Sequence, residues 1–291
     1  APKIQDMRYI LSNEQQAVIF EQTYNKKTKN NSHNINNNNI VIERNHNCIG
    51  KHLFVLVHGY QGNSWDMRMF RNHLLLVCPN DLFLLSESNE KDGATEGDIN
   101  EMGKRLSNEI KEFILENITK QKLNLCRISF ITHSLGGLIA RDALKYLDTK
   151  IIKKCYTYIS LAVCHCGYLF GRSKTLQYGF YLMKQWKKSI CLQQLSLTDN
   201  DNPRKTYIYK LSQINTLKYF KNVLLVSSPE DKYTPYHSTR IEMHRKTVQD
   251  TKWGKIYNEI CRNLLKDMDH VNLTKFDVSF DINSSNNSNS D

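Results

Sequence analysis

The sequence predicts an α/β protein with a mostly parallel central sheet and helices on both faces. Two observations carry this. Short apolar runs rich in β-branched residues recur along the chain, and stretches with helical spacing of apolar residues separate them. The composition agrees: 291 residues, 40% hydrophobic and 24% charged, are enough for a packed core and exclude a disordered, collagenous or membrane-spanning chain.

The elements follow in order. The run 52–57, HLFVLV, reads as a buried strand ending in His-Gly, and 65–77, WDMRMFRNHLLLV, follows at helical spacing. A strand is expected at 81–87. An amphipathic helix is expected from Glu96 to Asn117, with Ile99, Met102, Leu106, Ile110, Phe113 and Ile114 on one face. The alternation then repeats, with strands at 127–131, 156–163 and 222–227 and helices at 135–147 and 252–265. Residues 1–50 form an N-terminal extension: a mild helical pattern to residue 24, then a flexible insert with ten of the 30 asparagines between Asn25 and Asn47. Such a polar tract buries nothing that would offset its ordering entropy. Residues 51–278 form the folded domain, and 279–291 read as a disordered tail.

Charge and cysteines bound the partners. Lys plus Arg minus Asp plus Glu is 40 − 29 = +11, which suits an anionic membrane or nucleic acid. The Asn and Lys enrichment, however, is what biased coding composition produces, and no nucleic-acid-binding motif is present, so no such partner is expected. The eight cysteines lack short regular spacing. Cys126, Cys155, Cys164 and Cys191 lie in or beside apolar runs, as buried free thiols do, which indicates a reduced intracellular location, cytoplasmic or peripheral to a membrane. Cys164-His165-Cys166 has poor metal-ligand spacing, so no metal or cofactor is expected.

Residues 130–141, FITHSLGGLIAR, carry the chemistry. A buried strand runs into His133-Ser134-Leu135-Gly136-Gly137 and straight into a helix, the context of a nucleophile elbow, with Ser134 at the tip. Gly136 permits the close approach such a turn needs, Gly137 lets the helix pack closely, and the Leu135 amide at the helix N-terminus faces a developing oxyanion. Thr132 stands where the pattern has Gly. The loop 58–63, HGYQGN, follows the first strand, where an α/β-hydrolase places its second oxyanion amide, here from Tyr60 or Gln61.

A serine hydroxyl needs a base, and the base a carboxylate, in the chain order Ser, acid, His. Asp231, with Glu230 as neighbouring rival, follows the strand at 222–227. His270 lies on a loop beyond the last helix and is the expected base; His165, His237 and His133 are weighed below it. The expected set is Ser134, Asp231 and His270, with Tyr60 and Leu135 as the oxyanion hole.

These segments resemble the putative serine esterase family, lipase-like α/β-hydrolases that form the C-terminal domain of long eukaryotic proteins. The similarity runs over about residues 52 to 275. The family's blocks fall on His58-Gly59, on His133 to Gly136 and on Asp231 to Glu242, and less closely on Asp269-His270-Val271. The family's proline-containing turn after the strand that follows the elbow reads Val163-Cys164-His165-Cys166-Gly167 here. The resemblance implies the α/β-hydrolase fold and hydrolysis of esters, lipid-like acyl esters among them. The alternative is a catalytically inactive module that binds a partner or an anionic membrane surface. The stretch 174–188, KTLQYGFYLMKQWKK, lies where this fold inserts caps, and reads as a core helix with solvated lysines or as a lid resting on such a surface.

Overall fold

The computed structural model describes residues 50–169, 189–243, 247 and 252–279. The expected extension, the Asn-rich insert, the stretch 174–188 and nearly all of the tail lie outside the described residues. The chain divides into two units, residues 1–48 and 49–291, and all the described residues belong to the second.

Six strands form one wholly parallel sheet in the order β2-β1-β3-β4-β5-β6. They are β1 (Lys51–Val57), β2 (Leu82–Leu85), β3 (Leu125–His133), β4 (Cys155–Leu161), β5 (Asn222–Ser227) and β6 (Asn272–Asp277). The longer helices are α1 (Arg68–Val77), α2 (Ile99–Ile114), α3 (Leu135–Ala143), α4 (Tyr207–Ile214) and α5 (Lys252–Leu265). Each expected strand and helix within the described residues is present. α4 and β6 were not expected from the sequence, and β6 reads NLTKFD with no apolar run to announce it.

Side-chain alternation splits the core in two. Leu53, Val55 and Val57 of β1, with Ile128 and Phe130 of β3, face a large cluster built from α2, α3, α4 and α5. Phe54, Leu56 and Ile131 face the other way, against Met67 with Phe70 and Leu74 of α1. Helices therefore cover both faces, as a parallel sheet requires, and the architecture is that of an α/β-hydrolase. Registers such as His133↔Leu161, Leu161↔Val226 and Val226↔Phe276 bring the C-terminal strand ends to one rim.

Cys78, Cys155, Cys164, Cys166, Cys191 and Cys261 are free. Cys126 departs from the reading above: it is disulfide-bonded. Among the described residues no helix is long and apolar enough to cross a membrane.

Candidate active site

β3 delivers Ser134 to the rim. Its amide donates to the Leu161 carbonyl at 2.9 Å, the last tie to β4, and its backbone then turns to φ 51, ψ −125 before α3 begins at Leu135. A non-glycine residue at positive φ is costly and persists only where its surroundings enforce it. Gly136 is the enforcing contact, since a Cβ there would come within 2.6 Å of the Val57 carbonyl oxygen and against that of His58. α3 is thereby seated directly on the end of β1. Thr132, at the position where the elbow pattern has Gly, is accommodated because its hydroxyl donates to the Ile159 carbonyl at 3.0 Å in a fully buried setting.

The loop after β1 closes on the serine from the other side. A Cβ on Gly59 would stand 3.0 Å from the Ser134 Cβ. His58 is buried, with its Nδ1 3.0 Å from the Gly59 carbonyl oxygen. Gln61 has φ 51 and donates its amide to the Thr95 hydroxyl at 2.9 Å and its side-chain amide to Glu96 at 2.9 Å. The Gln61 N–H is therefore spent on Thr95; Tyr60, the other residue expected to offer an amide here, precedes it in the loop. Nothing in the sequence pointed to Thr95 and Glu96 as the residues that hold this loop. As first residue of α3, Leu135 has an N–H with no intrahelical acceptor, at the positive end of the helix dipole and next to Ser134.

Asp231 follows β5 at the same rim, close enough to the elbow for its charge to be felt by His133. Its carboxylate accepts from the Tyr233 and Thr234 amides at 2.7 and 3.0 Å and from the Thr234 hydroxyl. Glu230 is turned to Ser228, whose hydroxyl it accepts at 2.7 Å.

His270 does not join them. The expectation of a final rim loop failed because residues after His270 form β6, whose first residue Asn272 pairs with Asn222 at the start of β5. His270 thus lies beyond the N-terminal ends of the strands, where its Nε2 donates to the Lys218 carbonyl at 2.9 Å. The length of β6 alone, five rises or about 16 Å, separates it from the rim where Ser134 stands.

The other histidines have different tasks. His165 is fully buried, its Nε2 2.8 Å from the Ser160 hydroxyl, and burial together with Arg141 holds its pKa well below the usual imidazole range. The Nε2 of His237 meets the Leu169 carbonyl at 2.9 Å, and its ring lies 5.3 Å from Tyr257. His133 has its pKa lowered by burial, against the pull of Asp66 and Asp231. Among the described residues no imidazole hydrogen-bonds to Ser134. The Cys164-His165-Cys166 run is dispersed as well: burial pushes the Cys164 thiol up to about 12, and Cys166 Sγ lies 3.5 Å from Cys261 Sγ.

Comparison with known proteins places this geometry in context. The family model described as putative serine esterase matches residues 48–244. A putative lipase of Saccharomyces cerevisiae is 27% identical over 205 residues, 65% of this chain and 30% of the yeast protein, so the chain spans under a third of that relative's length. Among solved structures, a Pyrococcus horikoshii acylaminoacyl peptidase aligns over 82% of this chain and 34% of its own, with TM-score 0.45 and 15% identity. A Rhizomucor miehei esterase aligns over 80% and 67%, with TM-score 0.42 and 11% identity.

Proposed function

Because the chain belongs to the putative serine esterase family, we propose that it hydrolyses carboxylic esters, lipid-like acyl esters among them, with Ser134 as nucleophile. The observation that carries this reading is the backbone of Ser134, held at φ 51 between the N-terminus of α3 and the Gly59 loop. The hydroxyl adds to the acyl carbonyl, its proton passing on to the departing alkoxide, and the Leu135 and Tyr60 amides stabilise the oxyanion as it forms. Collapse of the tetrahedral intermediate expels the alcohol and leaves an acyl-enzyme that water hydrolyses. Asp231 supplies negative charge at the rim, within reach of the elbow. His270 is not retained as that base, since β6 holds it at the far end of the sheet.

Labelling with a fluorophosphonate probe tests the reading. Wild-type protein should label at Ser134, and Ser134→Ala should abolish both labelling and turnover of short p-nitrophenyl esters, a loss on the order of 10⁴ or more, with the fold intact. A folded wild-type protein that stays unlabelled overturns it.

The placement of His270 favours a second reading, an inactive α/β-hydrolase module that binds an anionic membrane surface. It requires absent labelling together with salt-sensitive adsorption to anionic vesicles.

A further inference from the structure

Helix α1 presents an apolar face to solvent. Phe70 and Leu74 pack toward the sheet, yet Trp65, Met69, Leu76 and Val77 remain 67%, 50%, 82% and 53% exposed. With Leu75 these make five of the thirteen large hydrophobic residues that are exposed among those described, all within one turn-and-helix segment. Scattered exposed apolar residues are ordinary, whereas a concentration of this kind marks an interaction surface. Met69 and Leu76, seven residues apart, lie on one side of α1, and Trp65 stands in the 3-10 turn that leads into it.

The charges around this face choose the partner. Arg68 is exposed and lies 5.5 Å from the centre of the Trp65 ring, and Arg71 follows one turn on. Asp66 accepts the Asn63 amide at 3.0 Å in the cap of the segment and Asp81 accepts the His52 amide at 3.3 Å, and among the described residues neither forms an ion pair with Arg68. An indole at one end, aliphatic side chains along the helix, and the exposed Arg68 with no ion-pair partner among the described residues match a helix lying in the interface of an anionic bilayer. The net charge of +11 acts in the same direction.

We propose that the exposed face of α1 and of the turn before it, with Trp65, Met69 and Leu76 inserted and Arg68 at the headgroups, docks the protein on an anionic lipid surface. The segment follows the loop that closes on Ser134 and runs back from the rim towards the start of β2, so its Trp65 end is the one nearer the reactive rim. The inference deepens the ester-hydrolase reading and rests on it for its purpose, while its test reads adsorption rather than turnover.

The full chain is co-sedimented with vesicles of phosphatidylcholine alone, and of phosphatidylcholine with phosphatidylserine, at low and high salt. Wild type should adsorb to the anionic vesicles, much less to the neutral ones, and should be released by salt. Leu76→Glu and Met69→Glu should each weaken adsorption at least about tenfold. Arg68→Glu, at about fivefold per charge, should weaken it roughly 25-fold. Leu123→Glu, at an exposed leucine off this helix, should change nothing. Fluorophosphonate labelling of Ser134 is the control for fold. Equal binding to both vesicle types, or adsorption indifferent to the α1 substitutions, overturns the proposal. So does a wild-type dimer that Leu76→Glu converts to monomer, since a second copy would then cover the face. Adsorption without labelling leaves this surface standing and removes the hydrolase reading, and labelling without adsorption does the reverse.

Discussion

Gly59 and Ser134 face each other across the rim so closely that a Cβ on the glycine would stand 3.0 Å from the Cβ of the serine. The serine cannot retreat, because its amide is tied to Leu161 and its backbone is already at positive φ. Gly59→Ala should therefore displace the loop rather than the nucleophile. We expect fluorophosphonate labelling to slow by about tenfold, equivalent to about 1.4 kcal/mol, with an overpacking cost of about 1 kcal/mol in urea unfolding. Unchanged labelling kinetics would show that the loop amide takes no part.

Gly136→Ala should be worse. The added Cβ meets the carbonyl oxygens of Val57 and His58, which belong to backbone at the end of β1 and cannot rotate away. Loss of about 3 kcal/mol or more is expected in denaturant unfolding. Gly93→Ala is the comparison: φ is 73 there with nothing within 4 Å, so only the backbone penalty applies, about 1 kcal/mol.

His270→Ala should leave labelling of Ser134 unchanged within about twofold, and should cost no more than the one bond to Lys218, about 1 kcal/mol. Removing a triad histidine would instead cut reactivity by about 10⁴. A fall of that size would refute the sheet register that separates the two residues.

Acid should weaken the fold through histidines kept neutral. Burial lowers His52 from 6.5 to about 4, and burial with Arg141 beside it holds His165 well below the usual imidazole range. Below about pH 6.5 the unfolded chain binds protons that these rings refuse in the folded protein. Stability is then present above that pH and declines as pH falls toward 4, by at most about 1.4 kcal/mol per pH unit for each ring. The melting temperature should drop between pH 7 and pH 5, and His52→Gln should flatten that dependence. A flat profile in the wild type would contradict the burial of both rings.

How far the site could be read ahead of the structure depended on where its signals sit in the chain. Ser134 and the Gly59 loop were legible because strand, tight turn and helix are contiguous, and glycines fall where the backbones crowd. Asp231 was legible from its place after an apolar strand. His270 was misread because β6, with exposed or half-buried Asn272, Thr274 and Lys275, lacks the apolar pattern that marks the other strands. Without that strand the loop falls at the wrong end of the sheet. Thr95 and Glu96, which hold Gln61, were illegible for another reason: a hydrogen bond between residues 34 apart leaves no local trace.

Every strand of this sheet runs parallel, so among the described residues no hairpin offers a place for assembly to begin. The pairing of β1 with β3 joins Lys51 to Leu125, and the tie that holds the elbow joins Ser134 to Leu161. Such long-range closures come late and slowly, on the order of milliseconds to seconds for non-local topologies of small domains and longer for larger chains. A ribosome must therefore release more than a hundred residues of this domain before its reactive centre can exist, and any nascent fragment shorter than that emerges inert and in need of shelter.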